Sequence, residues 1–438
     1  MPVPPAPSWG LQPPSQAAAL QPLSHRPQAL PETGALLPRG LGRSYGDVCL
    51  NDGGTLIATQ GMDRLCQFDP ESGILEAEAG ISFDAILRFA LPRGFFLPVS
   101  PGTRYVTLGG AIANDVHGKN HHRAGCLGRH ILSLDLLRSD GRIYRCSRTE
   151  QAQLFRATLA GLGLTGLILR ARIRLRKIQS PRIIEDRVPM RNLAHFLELS
   201  DAADESHEYH VAWVDGLAKG EEIGRGLFMR GNHEEEQQPL RYDPPRSLSI
   251  PMYAPGFLLN PLTVKAFNSL YAARGKKALI RHPSSLFPFF YPLDAVGNWN
   301  RLYGRRGFFQ YQCVLPREND AASMRALLDR IGRSGEASFL AVLKTFGSLP
   351  PEGLLSFPRA GLTLALDFPN RGESTRALFR DLDHIVRDAG GRLYPAKDAC
   401  MSAEDFQRSY PALDHFRTLI DPAFTSDFWR RMHSEKAI

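Results

Sequence analysis

Three glycine-rich stretches before Leu167 constrain this chain more than any other feature. They are PRGLGRSYGD (Pro38–Asp47), PGTRYVTLGGAIANDVHGKNHH (Pro101–His122) and GLGLTG (Gly161–Gly166). Small residues let the backbone approach a ligand closely enough for N–H groups to bond phosphate oxygens. One such loop is weak support for a ligand. Three of them, separated by strand and helix signals, point to a large diphosphate-bearing ligand lying across several loops.

Two familiar alternatives fit the same residues less well. His117 and His121 have the spacing at which one helical face presents two imidazoles to zinc. The glutamate of the zinc-protease motif is missing, however, Gly118 weakens a helix there, and no third ligand is identifiable. No metal site is therefore expected. Gly161, Gly163 and Gly166 match G-x-G-x-x-G, but a dinucleotide fingerprint has a strand before it and a helix after it. Here a helix signal precedes and a strand signal follows, so a turn at a helix end is the expectation.

With 438 residues the chain is too long for one ordinary core. Hydrophobic content of 43% and charged content of 22% are those of a globular protein without a bilayer-spanning run. The stretch MPVPPAPSWGLQPPSQAAALQPL lacks the features of a secretory signal and reads as a proline-rich lead-in that docks late or stays loose. Six scattered cysteines without a C-x-x-C pair argue against a disulfide framework and fit a reducing compartment. The net charge of +8 suits anionic lipid, nucleic acid or a phosphorylated substrate, and equally a solvated basic surface.

Strand and helix signals alternate over residues 1–180. Ser82 is placed to cap a helix whose residues Phe83, Ile86, Leu87, Ala90 and Leu91 share a face. Ser147 and Glu150 have capping-box spacing ahead of QAQLFRATLAG. LRARIRLRK alternates strictly, as a half-buried strand does. After Pro181 the strands EYHVAWVDG, GFFQYQCVLP and GLTLALDFP mix with two amphipathic helices. Between them, Ile250–Asp294 is apolar, aromatic and proline-punctuated, yet carries Lys276, Lys277, Arg281 and His282. Such a stretch is either a lid beside a lipid-phosphate or membrane surface, or a buried irregular wrap.

Taken together, G-x-G-R-S-Y-G-D, P-G-T-x-x-V-T-x-G-G-A-I-A-x-D-x-H-G-K, G-L-T-G, PLD…WNRLYG, GFFQYQ, SFPRAGLTLALDFP and GGRLYPAKD resemble the vanillyl-alcohol-oxidase/p-cresol-methylhydroxylase flavoproteins. The resemblance runs from Pro38 to Arg431 and is strongest to the branch that oxidises the 2′-hydroxyl of a decaprenylphosphoryl-ribose. It implies an α+β, two-domain architecture. An FAD-binding PCMH-type domain spans 1–180, a substrate domain on an antiparallel sheet with flanking helices spans 181–391, and 392–438 complete the first domain.

The resemblance also assigns residues. Gly40, Leu41, Gly42, Arg43, Ser44, Tyr45 and Gly46 match the first FAD-binding loop. Pro101, Gly102, Thr103, Val106, Thr107, Gly109, Gly110, Ala113, Asn114, His117 and Gly118 match the second. Gly163, Thr165, Gly166 and Ile168 match adenosine-side contacts, and Tyr394 and Lys397 return to the isoalloxazine. Relatives that tether their flavin use a histidine at the position of Arg43, so the FAD is expected to be non-covalent.

Lys397, His117 and Tyr45 are alternative acceptors of the substrate hydroxyl proton, and Lys397 is alternatively a cation beside the flavin. Lys119, Tyr291, Gln310, Gln312, Lys344, Thr363 and Ala365 are the expected substrate contacts, with Lys119 and Lys344 toward the phosphate. Thr363-Leu-Ala365 stands where mycobacterial members have Asn-x-Cys, and Asn114 also departs from them. The implied reaction yields a keto sugar in cell-envelope synthesis, as the first half of an epimerisation completed by a short-chain NAD(P)H-dependent keto-reductase. The implied location is cytoplasmic, peripheral at the inner face of the membrane, with no nucleic-acid partner. The rival with the same fold is an oxidase of soluble sugars, alditols or aldonolactones. A flavin-free binding module is the rival from another class, and it predicts no chromophore.

Overall fold

In the computed structural model, LRARIRLRK supplies the strand Leu167–Arg174 at the centre of a five-stranded antiparallel sheet. Ala171 and Ile173 are fully buried, while Arg170 and Arg172 reach Glu76 and Asp135 on the flanking strands. These half-exposed ion pairs contribute under about 1 kcal/mol each. Burial of the apolar face contributes more, about 1.5–3 kcal/mol for each large side chain. The structure describes residues 3, 5–25, 30–31, 34–256, 259–274, 278–318, 320–336 and 340–433.

The helix Phe83–Ala90 packs on this sheet as its sequence requires. The Ser82 hydroxyl accepts from the Ala85 N–H, and Phe83, Ile86, Leu87 and Ala90 are fully buried. The second expected cap fails. Ser147 Oγ accepts from the backbone N–H groups of Thr149 and Glu150, at 3.2 and 3.0 Å, and so closes a turn. The helix Ala152–Thr158 begins only after Gln151, which caps it with no side-chain bond. The turn uses up the hydroxyl before the helix starts.

A three-stranded parallel sheet (Ala19–Pro22, Leu36–Arg39, Thr55–Ala58) adjoins, with Thr55–Ala58 in the middle. The lead-in therefore docks: Trp9 N–H bonds the Ser44 carbonyl, and the Trp9 ring meets Trp299 edge-on at 5.7 Å. The C-terminal segment returns to the same region. Phe424 bridges Leu36, and the Arg431 guanidinium bonds the carboxylates of Asp47 and Asp398.

The rest of the chain builds an eight-stranded sheet, antiparallel at every described pairing. Its order is Leu279–Ser285, Arg182–Met190, Gly226–His233, Tyr209–Val214, Ala341–Phe346, Gly361–Pro369, Phe308–Pro316 and Arg392–Leu393. Successive side chains on a strand point to opposite faces. Phe309, Tyr311, Cys313, Leu315, Leu343, Leu362, Leu364, Leu366 and Phe368 therefore share one apolar cluster with the helices Asp320–Ser334 and Glu373–Asp388. The alternate positions Gln310, Gln312, Lys344, Thr363, Ala365 and Asp367 occupy the opposite face.

The segment Ile250–Asp294 divides between the two expectations. It forms the helix Pro261–Arg274, the edge strand Leu279–Ser285 and the short helix Leu286–Phe290. Phe287, Phe289 and Phe290 are buried as a wrap, whereas Leu259, Thr263, Val264 and Phe267 border a cavity as a lid does. Lys276 and Lys277 lie outside the described residues. No described helix is long and apolar enough to cross a membrane.

Candidate active site

Between the glycine loops and the polar face of the large sheet lies a cavity of about 990 Å³. The first loop (Gly40–Tyr45) lines it, with Pro101–Thr103, Val106, Thr107, Gly109, Gly110, Ala113, Asn114, His117, Gly118, Gly163, Gly166 and Ile168. Lys119, Gln310, Gln312, Lys344, Thr363, Ala365, Tyr394 and Lys397 line it as well. Register explains the grouping on the sheet. Gln310 pairs with Asp367, Gln312 with Ala365 and Lys344 with Thr363, so alternate positions of three strands form one polar floor.

Three expected site residues stand behind the wall. Gly46 does not line the cavity; a Cβ there would sit 1.5 Å from the Asp398 carbonyl oxygen, so its role is to let the Lys397 segment pass. Thr165 is 1% exposed, its hydroxyl 3.0 Å from that of Thr158. Tyr291 is 2% exposed, and its hydroxyl meets that of Ser100 at 2.6 Å. Burial pushes the Tyr291 phenol up from its ordinary value, and the group supports the Pro101 loop from beneath.

Sequence reasoning missed three contributors. Asp367 is fully buried and accepts from Gln310 Nε2 at 2.5 Å and from the Tyr303 hydroxyl at 3.3 Å. Its position two residues after Ala365, as the one charged residue of that strand, was the available signal. Trp9 lines the cavity and stacks under the Arg43 guanidinium, 4.0 Å from its ring centroid; nothing local marks it. Asp294 accepts from the Thr103 hydroxyl at 2.6 Å and the Arg104 N–H at 3.0 Å, and so fixes the second loop.

The titratable groups separate into roles. Burial, then Lys344, His121 and Lys397, hold His117 well below the ordinary histidine range. It is a neutral imidazole with a single N–H. Its Nδ1 lies 3.2 Å from Lys344 Nζ and its Nε2 3.1 Å from the Gln312 amide. With Lys344 donating to Nδ1, the proton sits on Nε2, and a half-turn of the Gln312 amide presents oxygen to it. Burial raises the Tyr45 phenol well above its ordinary value, so it stays protonated.

Lys397 Nζ lies 3.8 Å from the Tyr45 ring centroid. Burial lowers the lysine, while the Asp367 carboxylate opposes that shift. Lys119 and Lys344 are pushed down to about 7 and about 8, both chiefly by burial. The three amines share a cavity short of compensating anions, and each keeps its charge better once an anionic ligand enters.

The spacing of His117 and His121 is not used as a chelate. His121 packs its ring on Phe346 at 4.4 Å, with neither nitrogen hydrogen-bonded. His122, Asp204 and His210 bring ligand-type atoms within 4.8 Å of one another. One nitrogen of each ring is engaged, His210 Nε2 with Asp204 at 2.7 Å and His122 Nε2 with the His207 carbonyl at 3.0 Å, while both Nδ1 atoms are buried with no hydrogen-bond partner.

Along the glycine loops the wall is shaped for a ligand. Gly163 has φ +79°, a conformation that costs a side chain dearly and brings the turn to the cavity. Asn114 Oδ1 and Arg43 Nε are buried with no hydrogen-bond partner, a cost of about 1–3 kcal/mol each unless a ligand supplies one.

Residues 29–147 match the family described as "FAD binding domain". The chain is 37% identical to decaprenylphosphoryl-β-D-ribose oxidase of Mycolicibacterium smegmatis, over 91% of this chain and 89% of that protein. It is 34% identical to the "uncharacterized protein in mprA 5′ region" of Streptomyces coelicolor, over 80% of this chain and all of that one. Mouse L-gulonolactone oxidase is 32% identical over 30% of this chain and 29% of its own. The glycine loops, the positive-φ turn at Gly163 and the two orphaned polar atoms fit FAD. The chain is an FAD-dependent oxidoreductase and belongs to the decaprenylphosphoryl-β-D-ribose oxidase family of the FAD-linked oxidases.

Proposed function

We propose that the chain oxidises the 2′-hydroxyl of a polyprenyl-phosphate pentose to a ketone. The observation that carries this reading is the cluster of three lysines in one cavity, with burial lowering all of them and apolar residues of the 250–294 segment closing one side. A phosphate is the ligand such a set prefers, and a lipid tail suits Leu259, Val264, Phe267 and Leu293. The M. smegmatis relative carries the corresponding substrate in its name.

FAD, when bound, supplies the two-electron acceptor for the carbinol hydride. Gly40–Tyr45, Pro101–Thr107, Gly109–Gly118, Gly163, Gly166 and Ile168 would hold it. Lys397 takes the hydroxyl proton at Nζ, because it lies against the Tyr45 ring of the first loop and burial favours its neutral form. His117 is unsuited to that step: burial and two lysines penalise its protonated form. Its part is to orient Gln312, and Tyr45 covers the amine of Lys397. Gln310 and Gln312 hold sugar hydroxyls, and Lys119 and Lys344 bind the phosphate. Thr363 and Ala365 leave more room than the Asn-x-Cys pair expected of mycobacterial members.

Arg43, clamped on Trp9, cannot form the tether that a histidine forms, so the FAD is dissociable. The ketone product calls for a reductase, and a short-chain NAD(P)H-dependent enzyme is the fitting class. The proposed location is the cytoplasmic side of a membrane, held peripherally. The test is dye-coupled turnover of a polyprenyl-phosphate ribose by the purified holoenzyme and by Lys397→Met. Turnover lost in the variant, with flavin retained, supports the assignment; turnover of free pentoses at equal efficiency sinks it.

A further inference from the structure

Among the described residues, eleven large hydrophobic side chains are exposed, and eight of them fall between Leu248 and Ile280. The stretch is short, so chance scatter does not explain the clustering. The helix Pro261–Arg274 is pinned from beneath by Val264 and Asn268, 3% and 1% exposed, the latter donating to Asp215 at 2.7 Å. Leu262 and Leu270 point outward at 79% and 58% exposure. The strand Leu279–Ser285 is the free edge of the eight-stranded sheet, and its consecutive residues Leu279 and Ile280 are both exposed. Leu248 and Met252, shortly before the helix in the chain, are 79% and 73% exposed. A bare apolar edge of this kind is a liability unless something covers it.

The charge pattern selects the cover. From Pro244 to Leu293 the sequence has no aspartate or glutamate, while it has Arg246, Lys265, Arg274, Lys276, Lys277 and Arg281. The whole chain carries 45 acidic residues in 438, so such a stretch would ordinarily hold about five. Arg246, Lys265 and Arg281 are exposed. Among the described residues, the acids that touch this segment from other elements, Asp215, Asp186 and Glu185, are buried beneath it. Exposed apolar side chains interspersed in sequence with cations alone suit an anionic bilayer, where burial and headgroup attraction add. A protein interface has no such need for one sign of charge. Phe267 ties this surface to the cavity: it lines the cavity wall and is 43% exposed.

We propose that the exposed apolar side chains of this segment, Leu248, Met252, Leu262, Leu270, Leu279 and Ile280, dock on an anionic lipid bilayer and open the cavity directly toward the acyl layer. The inference rests on the polyprenyl-phosphate reading for its purpose, though not for its test. A substrate tail then passes from membrane to cavity along the Phe267 side of the helix without crossing water.

Flotation of the holoenzyme with phosphatidylcholine vesicles, with and without phosphatidylglycerol, tests it. The parent is expected to float with the anionic vesicles, less so at high salt. Leu262→Asp with Leu270→Asp is expected to weaken binding by about tenfold or more, with the flavin spectrum and turnover of a short-chain, water-soluble substrate unchanged. Arg246→Glu with Lys265→Glu is expected to remove the preference for anionic lipid. No flotation with either vesicle, or equal flotation of the Leu262/Leu270 variant, overturns the proposal. A dimer that the same variant disperses, without flotation, overturns it in favour of a second copy of the chain. Flotation without turnover of any polyprenyl-phosphate sugar would fell the substrate reading and leave the docking face standing. Turnover of the short-chain substrate without flotation would do the reverse.

Discussion

Replacing Asp367 by Asn removes the carboxylate that opposes the burial-driven drop of Lys397 and leaves the shape of the site nearly unchanged. In the parent, burial lowers Lys397, Asp367 raises it and Lys344 lowers it again. Losing the only one of these influences that raises it sends Lys397 lower. Burial raises the Asp367 carboxyl to about 7, so its charge is complete only above that pH. There a nearby opposite charge shifts a pKa by about 1–3 units, and a displacement of about one unit is expected. If neutral Lys397 accepts the hydroxyl proton, the acid limb of kcat/KM moves to lower pH by that amount. The plateau falls as well. The amine becomes a weaker base, and the 2.5 Å bond from Gln310 loses its charged acceptor, at about 1.5–3 kcal/mol. Together these give a loss of about ten- to a hundredfold. The assay is the pH profile of dye-coupled turnover, beside anaerobic flavin reduction by substrate. Tyr303→Phe, which removes only a 3.3 Å bond to the same carboxylate, serves as the milder control. An acid limb that stays in place, or moves up, would refute Lys397 as the base.

Lys119 and Lys344, lowered to about 7 and about 8, should take up protons when an anionic substrate raises them. Calorimetric binding enthalpy at neutral to mildly alkaline pH should therefore vary with the buffer's ionisation enthalpy, and Lys119→Met should remove part of that variation. Arg431→Ala should cost about 2–4 kcal/mol of stability at neutral pH, because Asp47 then stands buried without its cation. Burial already raises the Asp47 carboxyl, and losing Arg431 raises it further. The folded variant therefore binds a proton as pH falls through that value, and the deficit shrinks on acidification; denaturant melts at several pH values would show it. Acid precipitation should release all of the flavin into the supernatant, and colour left in the pellet would contradict the reading of Arg43.

Local signals were the legible ones. The Ser82 cap and the face Phe83, Ile86, Leu87 and Ala90 need only neighbouring residues, and both are present. The alternation of GFFQYQCVLP and GLTLALDFP places Gln310, Gln312, Thr363 and Ala365 on the cavity face for the same reason. Ser147 shows the limit, since one hydroxyl serves a turn or a helix cap and spacing does not choose between them. Trp9, Tyr291 and Gly46 show another. Their positions depend on partners up to hundreds of residues away: Trp299, Ser100 and Asp398. Resemblance carried the glycine loops as a group but could not separate residues that touch a ligand from those that brace the wall behind it.

If this cavity passes a hydride from a lipid-phosphate sugar to FAD, substrate alone must reduce the flavin. An anaerobic titration of the purified holoenzyme, followed by flavin absorbance, puts that to the proof. Stepwise bleaching by a polyprenyl-phosphate ribose, one equivalent per flavin and absent with free ribose, is the expected result. Flavin that stays oxidised with the phospholipid sugar, or that free ribose bleaches as readily, would contradict the proposed reaction.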